Sequence, residues 1–309
     1  MGPRLFNVYL NDLPYVSDHL ELALYADDSN FLLANKNIGH LESLANNELM
    51  KIKEYFDSNG LSINTTKTTY LLFCPKNKKK EPIQIKLGNI ELQESEHISF
   101  LGVYIDNKLS FKQHFVKVYD KVKTGLNGLI LTKQNLTYRA KLNIYNSLVH
   151  SHLTYGALIW LSNINNKHLK ALETLQKKAL RIIFNTKYNS HTNNLFYKSK
   201  ITKVRDIFKK ESILIIHKYK NNMLPKEIQR IFTNNIQTSK INTRNTKDIK
   251  PKRTNSTNNT IVNILDKWNE NATWASSTSK ISELKRLINT NLNTWEDCKK
   301  DNCYTCKNK

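Results

Sequence analysis

Tyr25-Ala26-Asp27-Asp28 sits between two short apolar runs, with Leu22 and Leu24 before it and Ser29-Asn30, Phe31 and Leu33 after it. Apolar alternation around a polar turn predicts a β-hairpin with two adjacent carboxylates at its tip. Neighbouring Asp side chains repel each other. A divalent cation reverses that cost, because Mg²⁺ takes one or two carboxylates together with substrate phosphates. Two such ions clamp the attacking and leaving oxygens of a phosphoryl transfer. The same four residues also suit a solvated turn, in which Asp bonds its own backbone. The flanking sequence decides between the two.

Gly2-Pro3-Arg4-Leu5-Phe6-Asn7-Val8-Tyr9-Leu10-Asn11-Asp12-Leu13-Pro14 precedes the hairpin, and Gly60-Leu61-Ser62-Ile63-Asn64-Thr65-Thr66-Lys67-Thr68 follows it. Ile98-Ser99-Phe100-Leu101-Gly102-Val103-Tyr104-Ile105-Asp106 comes next, with Leu109-Ser110-Phe111 and His114 behind it. Further on stand Tyr155-Gly156-Ala157 with Trp160, and Leu175-Gln176-Lys177-Lys178-Ala179-Leu180-Arg181-Ile182-Ile183. In this order and spacing, the blocks over residues 1 to about 220 resemble the palm and following segments of reverse transcriptases from non-LTR retrotransposons, jockey-like lineages above all. The resemblance implies RNA-templated DNA synthesis from deoxynucleoside triphosphates with Mg²⁺ or Mn²⁺. It makes Asp27 the principal metal ligand and Asp28 its neighbour. Tyr25 and Ala26 shape the turn beside the primer end, and Phe100, Leu101 and Gly102 contact the primer terminus. Lys67 matches a family lysine near the nucleotide phosphates, where a cation offsets developing charge. The match begins in the middle of the family pattern. A third Asp on an earlier strand, a Pro-Gln-Gly block and the fingers would precede Met1. The expectation is a partial palm, inactive by itself, with a non-catalytic nucleic-acid-binding remnant or an inert truncated copy as the alternatives.

The 309 residues carry a formal charge of +22, from 40 Lys, 8 Arg and 26 acidic residues. Abundant Lys, Asn and Ile would also follow from an AT-rich coding sequence, so the distribution says more than the total. Residues 1–66 hold 4 basic and 9 acidic residues, net −5, and the remainder is net +27. Carboxylates thus cluster around the hairpin, and cationic surface follows it, an arrangement that suits metal binding in one region and a phosphate backbone in the other. No stretch approaches the ~20 apolar residues of a membrane span. The N-terminus lacks a secretory pattern, and Phe6 rules out a myristoylation motif at Gly2. An intracellular place, nuclear or cytoplasmic, is expected, with no membrane partner.

The expected fold class is α+β: a partial palm of antiparallel sheet and packed helix over 1–110, a helical thumb over 111–222, a polar linker over 223–260, and closing helices with a Cys-containing tail over 261–309. Leu41, Leu44, Ala45, Leu49, Ile52, Tyr55 and Phe56 predict a helix packed behind the hairpin sheet, closed by Gly60 in a left-handed cap. Thr69–Cys74 reads as a buried strand, and Lys76–Lys80 as a solvated basic loop. Alternation on both sides of Gly88-Asn89 predicts a hairpin. Ile98–Ile105 reads as one strand interrupted at Gly102.

Helical periods cover 111–132, 138–161, 166–185 and 202–221. Tyr138, Tyr145, Tyr155 and Trp160 could stack on bases, but aromatics at helical spacing read first as core. Lys112, Lys117, Arg139, Lys170, Lys177, Lys178 and Arg181 are the candidate contacts for RNA template and DNA primer, or else ordinary solvated faces. Lys250-Pro251-Lys252-Arg253 is a short basic run, a weak nuclear-localisation pattern. Cys298, Cys303 and Cys306 offer three thiolates but no fourth ligand nearby, so a Zn²⁺ site is not expected there.

Overall fold

Apolar periodicity changes near residue 110, and the architecture changes with it. The computed structural model describes residues 2–74, 81–236, 249, 251 and 260–292. Two compact units result: one from the residues up to Phe100 with Asp106–Lys108, the other from Leu101–Ile105 with the residues from Leu109 on. Both helix and sheet are present, so the α+β class holds in broad terms.

In the first unit, α1 (Gly2–Tyr9) leads through a 3₁₀ turn at Leu13–Tyr15 to β1 (Glu21–Tyr25) and β2 (Asp28–Leu32). The two strands pair antiparallel, with Leu22 opposite Phe31 and Tyr25 opposite Asp28. Next comes α2 (Ile38–Ser58), which starts at Asn37, whose side-chain oxygen accepts the His40 N–H at 3.1 Å, satisfying an orphan donor of the first turn. It closes at Gly60, φ 66°, with Gly60 N–H donating to Asp57 O and Leu61 N–H to Phe56 O. This is the left-handed Schellman closure expected of a glycine there. Tyr9 OH donates to Asn59 O and Tyr55 OH to Asp12 Oδ1, tying the N-terminal block to the end of α2.

The stripe on α2 has a different partner from the one expected. Leu41, Ala45 and Leu49 pack on Leu72, Ile83, Ile85, Leu87 and Leu92. Asn46 fixes this docking, donating to Gln84 O at 3.0 Å and accepting the Lys86 N–H at 2.7 Å. A polar side chain that pairs both backbone groups of an extended segment specifies register as apolar contact cannot.

The remaining strands are short: β3 (Thr69–Tyr70), β4 (Lys86–Leu87), β5 (Ile90–Glu91), β6 (Gln93–Glu94), β7 (His97–Phe100) and β8 (Val103–Asp106). Leu87 pairs with Ile90 across Gly88-Asn89, as the alternation predicted. Three sequence expectations need correction. The single antiparallel sheet is instead four two-stranded pairs among the described residues, and β3 runs parallel to β6. Only Thr69–Tyr70 of the 69–74 segment is strand, while Leu72 enters the small core. The 98–105 segment folds back at Leu101, φ 46°, and Gly102, φ 79°. Positive φ at two successive residues is the type I′ turn that joins paired strands, so Gly102 marks a hairpin turn.

The second unit is helical: α3 (Lys112–Thr132), α4 (Tyr138–Tyr145), a π turn at Asn146–His150, α5 (Ser151–Thr154), α6 (Ala157–Trp160), α7 (Asn166–Ile183), α8 (Asn193–Ser199) and α9 (Val204–Lys220). Then come α10 (Lys226–Asn235), α11 (Thr260–Asn269), α12 (Ala272–Ala275) and α13 (Ile281–Leu292). One core joins Val122 and Leu126 of α3, Leu172 and Leu180 of α7, Ile213 and Ile216 of α9, and Leu265, Trp268, Leu284 and Ile288 of the closing helices. The continuous helix expected over 138–161 is broken twice, by the π turn and by Gly156 at φ 60°. Within the polar stretch after 222, α10 forms and buries Phe232.

Lys76–Lys80, Lys250, Lys252, Arg253, Trp295, Cys298, Cys303 and Cys306 lie outside the described residues.

Candidate functional site

Two residues, Ala26 and Asp27, connect β1 to β2. Ala26 has φ 51°, and positive φ at the first loop residue is the II′ pattern, normally filled by Gly. An L-residue there costs ~1–2 kcal/mol. Strain of this kind concentrates where a chain positions functional groups. Asp27 occupies the loop and Asp28 opens β2, and both are exposed, as are Tyr25 and Ala26. Neither carboxylate forms an ion pair or hydrogen bond among the described residues. The turn thus brings Tyr25, Ala26, Asp27 and Asp28 together, as its alternating flanks require.

An exposed, partner-free carboxylate pair fits the one or two acidic ligands that Mg²⁺ takes from a protein. Among the described residues no group of three or more His, Cys, Asp or Glu is placed to hold a metal. The donor set therefore fits part of a metal site, with remaining positions for water or phosphate oxygens.

Lys67 follows an Asx turn in the same unit. The Asn64 side-chain oxygen accepts from Thr66 N at 3.2 Å and from Lys67 N at 3.3 Å, which fixes the backbone from which the exposed Lys67 side chain projects. Phe100 ends β7 and is half-buried.

Leu101 and Gly102 belong to the second unit, where other sequence blocks converge on them. Tyr155 OH donates to Leu101 O at 2.5 Å. Trp160 is fully buried, and its Nε1 donates to Tyr155 O at 2.9 Å. The His114 ring meets Trp160 edge-on at 5.1 Å between centroids, and His114 Nδ1 accepts the Tyr104 N–H at 3.3 Å. Burial, with the nearby Lys121 charge adding to it, pushes the His114 pKa down to about 4. A Cβ on Gly156 would stand 3.1 Å from Val103 Cγ2. Leu101–Tyr104, His114 and the Tyr155-Gly156-Ala157 block with Trp160 are thus one packing unit. Tyr145 and Trp160 are core, as read, whereas Tyr138 and Tyr155 remain substantially exposed.

The candidate cations divide by helix. Lys112 and Lys117 are exposed on α3, and Lys117 lies over the Tyr104 ring at 5.7 Å. Arg139 is exposed on α4. On α7, Lys170 and Lys178 are exposed, whereas Lys177 and Arg181 are half-buried. Gln176 in the same block is structural: it donates to Tyr145 Oη at 2.9 Å and Thr202 O at 3.0 Å, and accepts the Val204 N–H at 2.9 Å. Sequence reading missed Lys141, which is fully buried. Its signal was there: Lys141 stands four residues before buried Tyr145, on the core-facing side of α4.

The chain is 25% identical over 216 residues to the RNA-directed DNA polymerase from mobile element jockey of Drosophila melanogaster, a match covering 67% of this chain and 23% of that protein. It is 22% identical over 219 residues to the probable RNA-directed DNA polymerase from transposon X-element of the same fly, covering 69% and 24%. To the probable RNA-directed DNA polymerase from transposon BS, also of that fly, it is 27% identical over 203 residues, covering 61% and 22%. No protein-family model matches. The chain is thus similar to non-LTR retrotransposon polymerases and spans about a quarter of the length of the curated relatives it matches.

Proposed function

We propose that this chain forms part of an RNA-directed DNA polymerase of the non-LTR retrotransposon kind, with Asp27 and Asp28 as ligands for Mg²⁺ or Mn²⁺. The supporting observation is the hairpin: two exposed carboxylates, without partners among the described residues, held at and just after a strained Ala26-Asp27 tip. A cation held there would supply Lewis-acid stabilisation of phosphoryl oxygens. Tyr25 and Ala26 present the carboxylates beside the primer end, and Phe100, Leu101 and Gly102 contact the primer terminus. Lys67 neutralises charge on the nucleotide phosphates. Lys112, Lys117, Arg139, Lys170, Lys177, Lys178 and Arg181 track the RNA template and DNA primer through their phosphates. The first 110 residues correspond in this reading to palm, and the helices to about residue 222 to thumb.

Two-metal transfer needs more ligands than Asp27 and Asp28 supply, so this reading expects no activity from the chain alone. Essential metal ligands act as a unit, and one missing ligand removes most of the rate. Primer extension on an RNA template tests this. The expected result is no product from the 309-residue chain, product once an upstream segment with a third Asp strand is attached, and loss of that product on Asp27→Ala. Extension by the 309-residue chain, itself lost on Asp27→Ala, would overturn the inactivity. Extension by the longer polypeptide that survives Asp27→Ala would overturn the site.

The net charge of +27 beyond residue 66 favours a second reading, nucleic-acid binding without catalysis. It predicts salt-sensitive binding unchanged by Asp27→Ala and no extension by the longer polypeptide.

A further inference from the structure

The second unit holds a cavity of about 830 Å³, with Lys133, Lys141, Lys178, Arg181, Thr186 and Tyr188 in its wall. Among the described residues no Asp or Glu lines it. Its floor is built by the end of α7. Asn185 takes the left-handed conformation, φ 51°, with Asn185 N–H donating to Ile182 O and Thr186 N–H to Arg181 O. This Schellman closure carries Asn185 Oδ1 to within 2.7 Å of Lys141 Nζ.

Lys141 is only 1% exposed. An ammonium has three donors, and among the described residues this one bonds Asn185 Oδ1 alone. Buried charge normally finds a counter-charge. The C-terminal dipole of α7 offsets part of the cost, but among the described residues no carboxylate lines the cavity beside it. Thr186 Oγ1 is closed off from water and unpaired. Arg181 commits Nε to Ser190 O at 2.9 Å, and burial lowers its pKa. Tyr188 on the wall is 88% exposed.

Resting on the proposed nucleic-acid role, we propose that this cavity is a phosphate seat. Lys141, Lys178, Arg181 and Thr186 hold the phosphate of one nucleotide unit, and the Tyr188 ring stacks on its base. A buried cation facing a cationic cavity calls for an anion. An exposed aromatic beside it suits single strands, whose bases stack on such rings with little sequence preference. The phosphate comes either from a strand or from a free polyanion.

The test uses the full chain, fluorescence anisotropy with a labelled single-stranded oligothymidylate 12-mer, and thermal shift with inorganic pyrophosphate. Lys178→Gln should weaken the 12-mer about tenfold, the scale of one lost charged hydrogen bond. Lys167→Gln, exposed on the same helix but outside the cavity and outside the proposed phosphate contacts, should have a much smaller effect. Lys141→Met should act as Lys178→Gln does; if it fails to fold, the Lys178 and Lys167 pair carries the test.

For a strand as the source, Tyr188→Ala weakens the 12-mer several-fold without altering the pyrophosphate shift, and pyrophosphate competes with the 12-mer. For a free polyanion, pyrophosphate stabilises the wild type but not Lys178→Gln, and Tyr188→Ala changes nothing; this keeps the seat and removes the base. Equal losses at Lys167 and Lys178 would overturn the seat while leaving general nucleic-acid binding intact. No binding of either probe by the wild type would overturn both readings.

Discussion

The two units bury themselves by different means. The first relies on short strand pairs and a small core of Leu72, Ile83, Ile85, Leu87 and Leu92, assembled by the backbone bonds of Asn46. The second closes one core across α3, α7, α9 and the closing helices, pinned by buried polar groups such as Gln176 and His114. Candidate chemistry follows the same division. Carboxylates sit on a strained, exposed hairpin in the lightly buried unit, with Lys67 in the same unit. The helix-borne cations proposed to track template and primer sit in the well-packed one, exposed except at half-buried Lys177 and Arg181. Functional groups can tolerate strain at a loop tip because few contacts depend on it, whereas packed helices transmit any change in volume.

The largest expected effect probes that packing. On α3, a Cβ at Gly125 would fall 2.5 Å from Leu148 O, whereas one at Gly128 would meet nothing within 4 Å. Gly125→Ala should destabilise the chain by about 3 kcal/mol as α3 is forced off the π turn. Gly128→Ala should be neutral or stabilise by up to ~1 kcal/mol through helix propensity. Denaturant melts of the two variants, followed by helical circular dichroism, make the comparison. Equal stabilities would mean that α3 and the π turn are not closely packed.

The next effect is pH. His114 accepts the Tyr104 N–H and is buried against Trp160, which holds its pKa near 4. His150 is likewise pushed down to about 4, by burial and then by the Lys210 charge. Unfolded histidines titrate near 6.5, so between these values the unfolded chain binds more protons. Stability is full above about pH 6.5 and falls as pH drops toward 4, on the order of 2 kcal/mol per histidine. Thermal melts from pH 7 to 4 should show this fall, with a shallower slope in His114→Phe. An unchanged slope would place the titrating groups elsewhere.

The smallest effect concerns the hairpin tip. Ala26→Gly should stabilise by up to ~1 kcal/mol, because relief of positive-φ strain outweighs the added chain entropy. A loss of stability in the melt would mean that Ala26 does not hold that conformation in solution.

Much of this was legible in the sequence. The alternation around Tyr25–Asp28 gave a hairpin, Gly88-Asn89 another, Gly60 a helix end, and the three-and-four spacing of Leu172, Gln176, Ala179 and Leu180 the core face of α7. Each is a local pattern read by local geometry: pleat, helical pitch or the conformational freedom of glycine. Similarity to jockey-type polymerases was also carried by the sequence, since it resides in ordered residue blocks.

Tertiary structure alone decided what depends on residues far apart in the chain. The α2 stripe could have covered any apolar surface, and Asn46 assigns it to residues 83–92. Gly102 could have been a bulge, and Leu101 at positive φ makes it half of a turn. Lys141 reads as one lysine among forty. Only the closure of α7 at Asn185 shows it as a buried cation facing a cavity that no carboxylate lines among the described residues. Pattern fixes which face of an element is apolar, whereas the partner of that face, and the charge enclosed with it, depend on where the whole chain returns.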